Sequence, residues 1–98
     1  MQLHATYIPW YLSWKGLLGT KRPRTVWFLT RWGIHTFGMR YPIDVIILDK
    51  RGNVQVLRKQ LLPQRFFFWN PRYNLVIEAP VGTIREKKIT KGLHIALS

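Results

Sequence analysis

The segment from residue 43 to residue 48 limits the possible folds of this chain more than any other, because it is the most apolar run and contains a single polar residue, Asp44. Apolar side chains fall on both faces of the segment, which predicts a strand that is covered on both sides. Residues 49–53 place Gly52 at a turn position, and the alternation of apolar and polar residues resumes at Val54. The pattern therefore predicts a β-hairpin with a buried first strand, and Pro63 ends the returning strand or confines it to an edge.

Other short segments alternate, or are rich in β-branched and aromatic residues, and predict further strands. They are residues 2–7, 25–31, 73–79 and 93–97. Turn signals separate them, and six or seven short strands of this kind are typical of a small barrel or sandwich.

Two segments predict helices at the margins of this β fold. Pro9 suits a first helical position and Gly19 a left-handed stop. Between them runs an apolar stripe at helical spacing, which is typical of a core-facing helix. The stripe of this first helix consists of Trp10, Trp14, Leu17 and Leu18.

Thr83 is expected to cap a second, short helical turn over residues 83–88, with the acid Glu86 at its third position.

Length and composition indicate one domain spanning residues 1–98. The hydrophobic fraction of 47%, with five Trp, five Phe and four Tyr, favours a packed core over disorder. We therefore expect a mainly β fold with α+β margins, a single-domain β-barrel or sandwich of six to seven short, mostly antiparallel strands with one or two short helices.

The residue inventory excludes several kinds of site. The chain has no cysteine, so disulfides, thiolate metal sites and cysteine nucleophiles are excluded. Three histidines and four acids argue against a closed structural zinc site, and we expect no metal and no cofactor. The start lacks the basic and apolar regions of a signal peptide, and the longest apolar run is far below the roughly 20 residues of a transmembrane helix. The chain as given is expected to be cytoplasmic.

The charge balance indicates an anionic partner. Sixteen Lys and Arg against four acids give a net charge of +12 and an isoelectric point near 11.0. Such a surface favours nucleic acid or another polyanion, although a merely solvated basic surface is an equal alternative. The candidate anion-binding residues are Lys21, Arg22, Arg24, Arg31, Arg58, Lys59 and Arg72.

Three stretches of the sequence resemble a known prokaryotic family. The central stretch runs Gly-Ile-His-Thr-Phe-Gly-Met-Arg-Tyr-Pro-Ile-Asp-Val over residues 33–45, followed by Leu48, Asp49 and Gly52. Residues 14–19, Trp-Lys-Gly-Leu-Leu-Gly, and residues 76–83, Val-Ile-Glu-Ala-Pro-Val-Gly-Thr, occur in the matching order and spacing. Together they resemble domain of unknown function family 192 over nearly the whole chain.

This resemblance implies a compact, mostly β domain and no established activity. Many members of the family carry export signals, and we expect none in this chain as given. The sequence departs from the family where Gly92 is followed by Leu93 rather than by an aspartate, and the segment before His35 is unusually basic. Anion binding would then be particular to this member of the family.

Polar residues around the bend between His35 and Asp44 are the candidate ligand-binding residues. The unshifted pKa of histidine, ~6.5, suits acid–base work, and a carboxylate on an apolar strand needs hydrogen bonds or a partner. If the strands bring His35, Asp44 and Glu78 together, they could bind a ligand or, as a remote alternative, a metal for hydrolysis. The other interpretation is structural, with the polar groups holding the bend. The candidates are His35, Thr36, Met39, Arg40, Asp44, Arg65 and Glu78.

The function expected from these residues is a non-catalytic module that binds a ligand or protein partner at the His35–Asp44 bend. The alternative is a basic surface that binds nucleic acid or another anionic polymer. Residues 66–69, Phe-Phe-Phe-Trp, stand between Arg65 and Arg72. Exposed aromatics there could stack bases or sugars or form a dimer contact, whereas a strand covered on both sides would use them as core.

Overall fold

The computed structural model describes residues 1–9 and 24–98, and within these ranges the chain forms nine strands and one short helix. Helix α1, Thr83–Glu86, lies between β8 and β9. Apart from Pro9, the helix expected from Pro9 to Gly19 falls outside the described residues, as do Lys21 and Arg22. The strands are β1 Gln2–Leu3, β2 Thr6–Tyr7, β3 Val26–Leu29, β4 Gly33–His35, β5 Ile43–Leu48, β6 Val54–Leu61, β7 Phe66–Phe68, β8 Leu75–Pro80 and β9 Ala96–Leu97.

Five strands form the main sheet in the order β2-β3-β8-β5-β6. Pairing is antiparallel from β3 through β6, and only β2 pairs in parallel with β3. The predicted hairpin is confirmed as β5 and β6. The mainly β fold of short strands is confirmed as well, but the described sheet is open at β2 and β6 and does not close into a barrel.

The single opening strand predicted over residues 2–7 is instead two strands in different sheets. β1 pairs in parallel with β9, while β2 pairs with β3. The backbone N–H of Ala5 donates to Ser98 O, and that of Thr6 donates to Thr25 O. The chain therefore changes partners between these two residues, which alternation along a short segment does not reveal.

Apolar clusters cover both faces of the main sheet, which explains why all six residues of β5 are buried. One face carries Val26, Val45, Ile47 and Val76 among others. The opposite face carries Ile46, Leu48, Ile77 and, from α1 and the chain after it, Ile84 and Ile89. The double burial predicted for this strand is thus confirmed.

The predicted cap of the short helix is wrong. The N-cap position of α1 is Gly82, whose φ is 96°, and no side chain of its own caps it. The Thr83 hydroxyl turns back and donates to Pro80 O at 2.6 Å. The helix N-terminus is satisfied from another strand, by Asp44.

Candidate binding surface

Asp44 accepts hydrogen bonds from three backbone amides of two other segments. Its Oδ2 accepts from the N–H of Gly82 at 3.2 Å and of Ile84 at 3.0 Å, at the start of α1. Its Oδ1 accepts from the N–H of Gln60 at 3.0 Å. Since the carboxylate is buried and held by these donors, Asp44 joins β5 to α1 and β6, as the structural interpretation expects.

The amide of Gln60 needs this side-chain partner because β6 is irregular opposite Asp44. Ile43 pairs with Leu61 and Val45 pairs with Arg58, so two residues of β6 oppose one residue of β5. Such a β-bulge leaves one amide without a strand partner, and Gln60 has a φ of 54°. The carboxylate of Asp44 supplies the missing acceptor.

Glu78 lies on the other face of the same sheet. It pairs directly with Val45 on β5 and Val26 on β3, whose side chains belong to the cluster on that face. Its side chain is 3% exposed, and burial raises the pKa of its carboxyl to about 8. Glu78 is therefore mostly neutral at pH 7.

The structure does not bring His35, Asp44 and Glu78 together. Asp44 pairs with Ala79, the neighbour of Glu78, so the two carboxyls point to opposite faces. His35 is exposed at the end of β4 and accepts a hydrogen bond at Nδ1 from the N–H of Phe37 at 3.3 Å. Within residues 1–9 and 24–98, no group of three His, Asp or Glu side chains is arranged to hold a metal ion.

Thr36 fixes the turn that leads into β7. Its hydroxyl donates to Leu62 O at 2.7 Å and accepts from the N–H of Arg65 at 2.9 Å, and its own N–H donates to Arg65 O. Met39 is buried in the apolar cluster. Arg40 and Arg65 are exposed. These contacts hold β4 against β7 and leave the outer side of the bend open to solvent.

β4 and β7 form a two-stranded ribbon with one buried and one exposed side. The paired residues Ile34 and Phe67 pack against the core, whereas the flanking pair His35 and Phe66 faces solvent. Phe68 also faces outward, opposite Gly33. Phe66 and Phe68 are 61% and 68% exposed, so a strand covered on both sides is excluded.

The exposed side of this ribbon carries four rings in mutual contact, which we call the aromatic face: His35, Phe37, Phe66 and Phe68. The rings of His35 and Phe37 are stacked, with 5.2 Å between their centroids. Phe37 contacts Phe66 edge-on at a centroid distance of 4.8 Å, and the rings of Phe66 and Phe68 are nearly parallel at a centroid distance of 5.7 Å. Trp32 precedes β4 and is 68% exposed. Large exposed aromatics in contact with one another are unusual on a monomeric surface and typically mark an interaction site.

The tight approach of the two strands depends on Gly33. A Cβ at this position would lie 2.5 Å from Cδ1 of Phe68 and 2.6 Å from the backbone O of Phe67. The ring of Phe68 therefore lies directly over the backbone of β4. The absence of a side chain at Gly33 makes this close approach possible.

An exposed arginine lies next to each end of the ribbon. The thirteen Lys and Arg side chains among the described residues are all exposed, and these include the anion-binding candidates Arg24, Arg31, Arg58, Lys59 and Arg72. Of the four acids, Asp44 and Glu78 are buried. Arg31 precedes Trp32 at one end of the ribbon. At the other end Arg65, whose guanidinium donates to Pro63 O and Gln64 O, precedes Phe66.

Sequence reasoning found the aromatic run of β7 but not the full face. Phe37 is not recognisable from the sequence as part of this face, because its contact with Phe66 depends on the pairing of β4 with β7. Its bulk and its position two residues after His35 are the signals that the sequence offers.

Comparisons with known proteins bear on the fold. No family model matches the chain, and neither does any curated protein. A protein of unknown function from Novosphingobium aromaticivorans DSM 12444 superposes with a TM-score of 0.73 at 16% identity, over 93% of this chain and 70% of that chain. A provisionally assigned transcription regulator from Sinorhizobium meliloti 1021 gives a TM-score of 0.70 at 14% identity, over 93% and 76%. These likenesses establish the fold alone.

The chain is thus a small β-rich domain whose fold also occurs in these two proteins. None of the helices in the described ranges is long and apolar enough to cross a membrane.

Proposed function

We propose that this chain is a non-catalytic binding module that holds single-stranded nucleic acid on its aromatic face, beside the His35 bend. The observation that carries the proposal is the row of rings formed by His35, Phe37, Phe66 and Phe68 on the solvent side of the ribbon. Unstacked bases pack on such rings whatever their sequence, since every base has a π-face.

Charge supports the same partner. A net charge of +12 attracts the phosphate backbone. Arg31 and Arg65 at the two ends of the ribbon are suited to backbone phosphates, which a guanidinium binds through two parallel hydrogen bonds. The regulator from Sinorhizobium meliloti is in keeping with a nucleic-acid partner, at the level of fold likeness only.

We also propose that the chain is a divergent member of domain of unknown function family 192. The three matching stretches support this, and Asp44 and Thr36 give the central stretch a structural purpose. The crystal structure of a clear family member tests it. We expect the aspartate of its central stretch to accept hydrogen bonds from the turn before a short helix; a different placement would contradict membership.

The test of nucleic-acid binding is fluorescence anisotropy with a labelled twelve-nucleotide oligo(dT) and a duplex of equal length. We expect tighter binding of the single strand, and an affinity that falls steeply as salt rises. Phe66→Leu with Phe68→Leu keeps apolar bulk but removes two stacking planes. Since stacking contributes about 1–3 kcal/mol per base, the double variant should bind about tenfold more weakly or worse.

Tyr7→Leu is the matched control, because Tyr7 is an exposed aromatic on β2, outside the ribbon. It should leave the affinity unchanged. Arg65→Gln should lower the slope of affinity against salt by about one phosphate contact, which the aromatic variants should not do. Equal affinities for wild type and the double variant would overturn the proposal. Self-association that the double variant abolishes would assign the face to a second copy of the chain instead.

A further inference from the structure

A concave surface lies beside the turn between β5 and β6, outside the aromatic face. It is an open depression of about 510 Å³, a volume within the range of small-molecule sites. The hairpin turn and the chain that follows β7 form its walls. Its lining includes Asp49, Lys50, Arg51, Gln55, Arg72 and Tyr73.

Asp49 holds the hairpin side of this depression in shape. Its Oδ1 accepts from the N–H of Arg51 at 2.9 Å and of Asn53 at 3.0 Å, and its Oδ2 accepts from Nε2 of Gln55 at 2.9 Å. These bonds, led by the one from the Asn53 amide, lower the pKa of the Asp49 carboxyl. The carboxylate is therefore occupied by the turn itself and orients Gln55 toward it.

The charge of the lining favours a dianion. Lys50, Arg51 and Arg72 supply three exposed cationic side chains against the single carboxylate of Asp49. A phosphate monoester carries about −1.5 to −2 at pH 7, which matches the excess of positive charge. Guanidinium groups also match the geometry of phosphate oxygens.

Tyr73 adds an aromatic wall to this cationic site. The residue is half-buried, and its backbone is held because its carbonyl accepts from the indole Nε1 of Trp69 at 2.7 Å and its N–H donates to Asn70 O. Its side chain packs against an apolar cluster and also lines the depression, so it can contact a planar ligand there. We propose that the depression binds a nucleoside monophosphate, with the phosphate on Arg51 and Arg72 and the base against Tyr73.

The proposal is tested by titrating the whole chain with AMP, adenosine and inorganic phosphate while backbone amide shifts are followed by NMR. We expect AMP to shift the amides of residues 49–55 and 72–73 saturably. Adenosine and inorganic phosphate should each bind about tenfold more weakly or worse, because adenosine lacks the phosphate and inorganic phosphate lacks the base. Shifts confined to residues 66–68 would overturn this site and leave the aromatic face unaffected as a proposal.

Arg72→Gln is the decisive variant, since Arg72 is exposed and only its backbone N–H is used in the turn. We expect it to weaken AMP binding about fivefold or more. Arg85→Gln on α1, which removes an exposed arginine that does not line the depression, should change nothing. Equal affinity of the two variants for AMP, equal affinity of wild type for AMP and inorganic phosphate, or no saturable shift with AMP would each overturn the proposal.

Discussion

Asp44 and Glu78 stand one register step apart on paired strands and point their carboxyl groups to opposite faces of the main sheet. Asp44 faces α1 and is held by three backbone amides. Glu78 faces the other apolar cluster, where burial keeps its carboxyl largely neutral. We therefore expect the loss of the Asp44 carboxylate to destabilise the fold, and the replacement of Glu78 by a neutral side chain to stabilise it at high pH.

Asp44→Asn should lower the free energy of unfolding by about 2–4 kcal/mol. Asparagine keeps one acceptor oxygen, but its NH2 group would face N–H donors that the carboxylate now satisfies. Urea denaturation at pH 7 measures the loss. Asp49→Asn provides the control, because Asp49 stabilises a turn near the surface and its replacement should cost distinctly less. A similar loss in both variants would show that the buried amides of Gln60 and Ile84 do not depend on Asp44.

Glu78 should make the protein less stable as pH rises. Its ordinary pKa of 4.5 applies to the unfolded chain, and burial raises the pKa to about 8 in the folded chain. Between these values a rise in pH ionises Glu78 in the unfolded state first, so the free energy of unfolding falls by up to about 1.4 kcal/mol per pH unit. The stability that neutral Glu78 provides is fully present below pH 4.5 and is lost as the pH rises through about 8.

Glu78→Gln isolates this effect, because it removes one ionisable carboxyl and leaves the rest of the chain unchanged. The variant should lack the fall attributable to Glu78 and should exceed the wild type in stability at pH 8. Urea denaturation at several pH values provides the comparison. Parallel stability profiles for the two proteins would contradict the raised pKa.

Thr36→Val should loosen the turn before β7. The substitution keeps the shape of the side chain but leaves the N–H of Arg65 and the carbonyl of Leu62 without the hydroxyl, at a cost of about 1–3 kcal/mol. Hydrogen exchange at the Arg65 amide should accelerate relative to wild type. Thr90→Val, at an exposed threonine, should leave that amide unchanged.

Gly33→Ala should separate β4 from β7, because the backbone O of Phe67 lies 2.6 Å from the added Cβ and cannot rotate away as a side chain can. We expect a destabilisation of about 1–3 kcal/mol and weaker oligonucleotide binding. Gly92→Ala is the contrast: its φ is 90°, but nothing lies within 4 Å of the added Cβ. It should cost stability through backbone strain while preserving oligonucleotide affinity. Unchanged oligonucleotide affinity in Gly33→Ala would show that binding does not depend on the close pairing of β4 with β7.

Local pattern was sufficient to predict the strands that dominate the main sheet. β5 and β6 were recognisable because an almost wholly apolar run and a glycine turn occur within a few residues of each other. β8 was recognisable from its alternation. The division of residues 2–7 between two sheets was not, since pairing partners from the distant segments at Thr25 and Ser98 decide it.

The arrangement of the candidate site also depends on pairing between distant segments, which local sequence does not reveal. Sequence alone determined that this is a basic, cysteine-free, mainly β domain with a polar bend before a buried strand and an aromatic run near arginines. Only the tertiary structure decided which of these features meet, because strand register sets the face of each side chain and a step of one residue reverses it. Register separated Asp44 from Glu78, and it brought His35 and Phe37 beside Phe66 and Phe68.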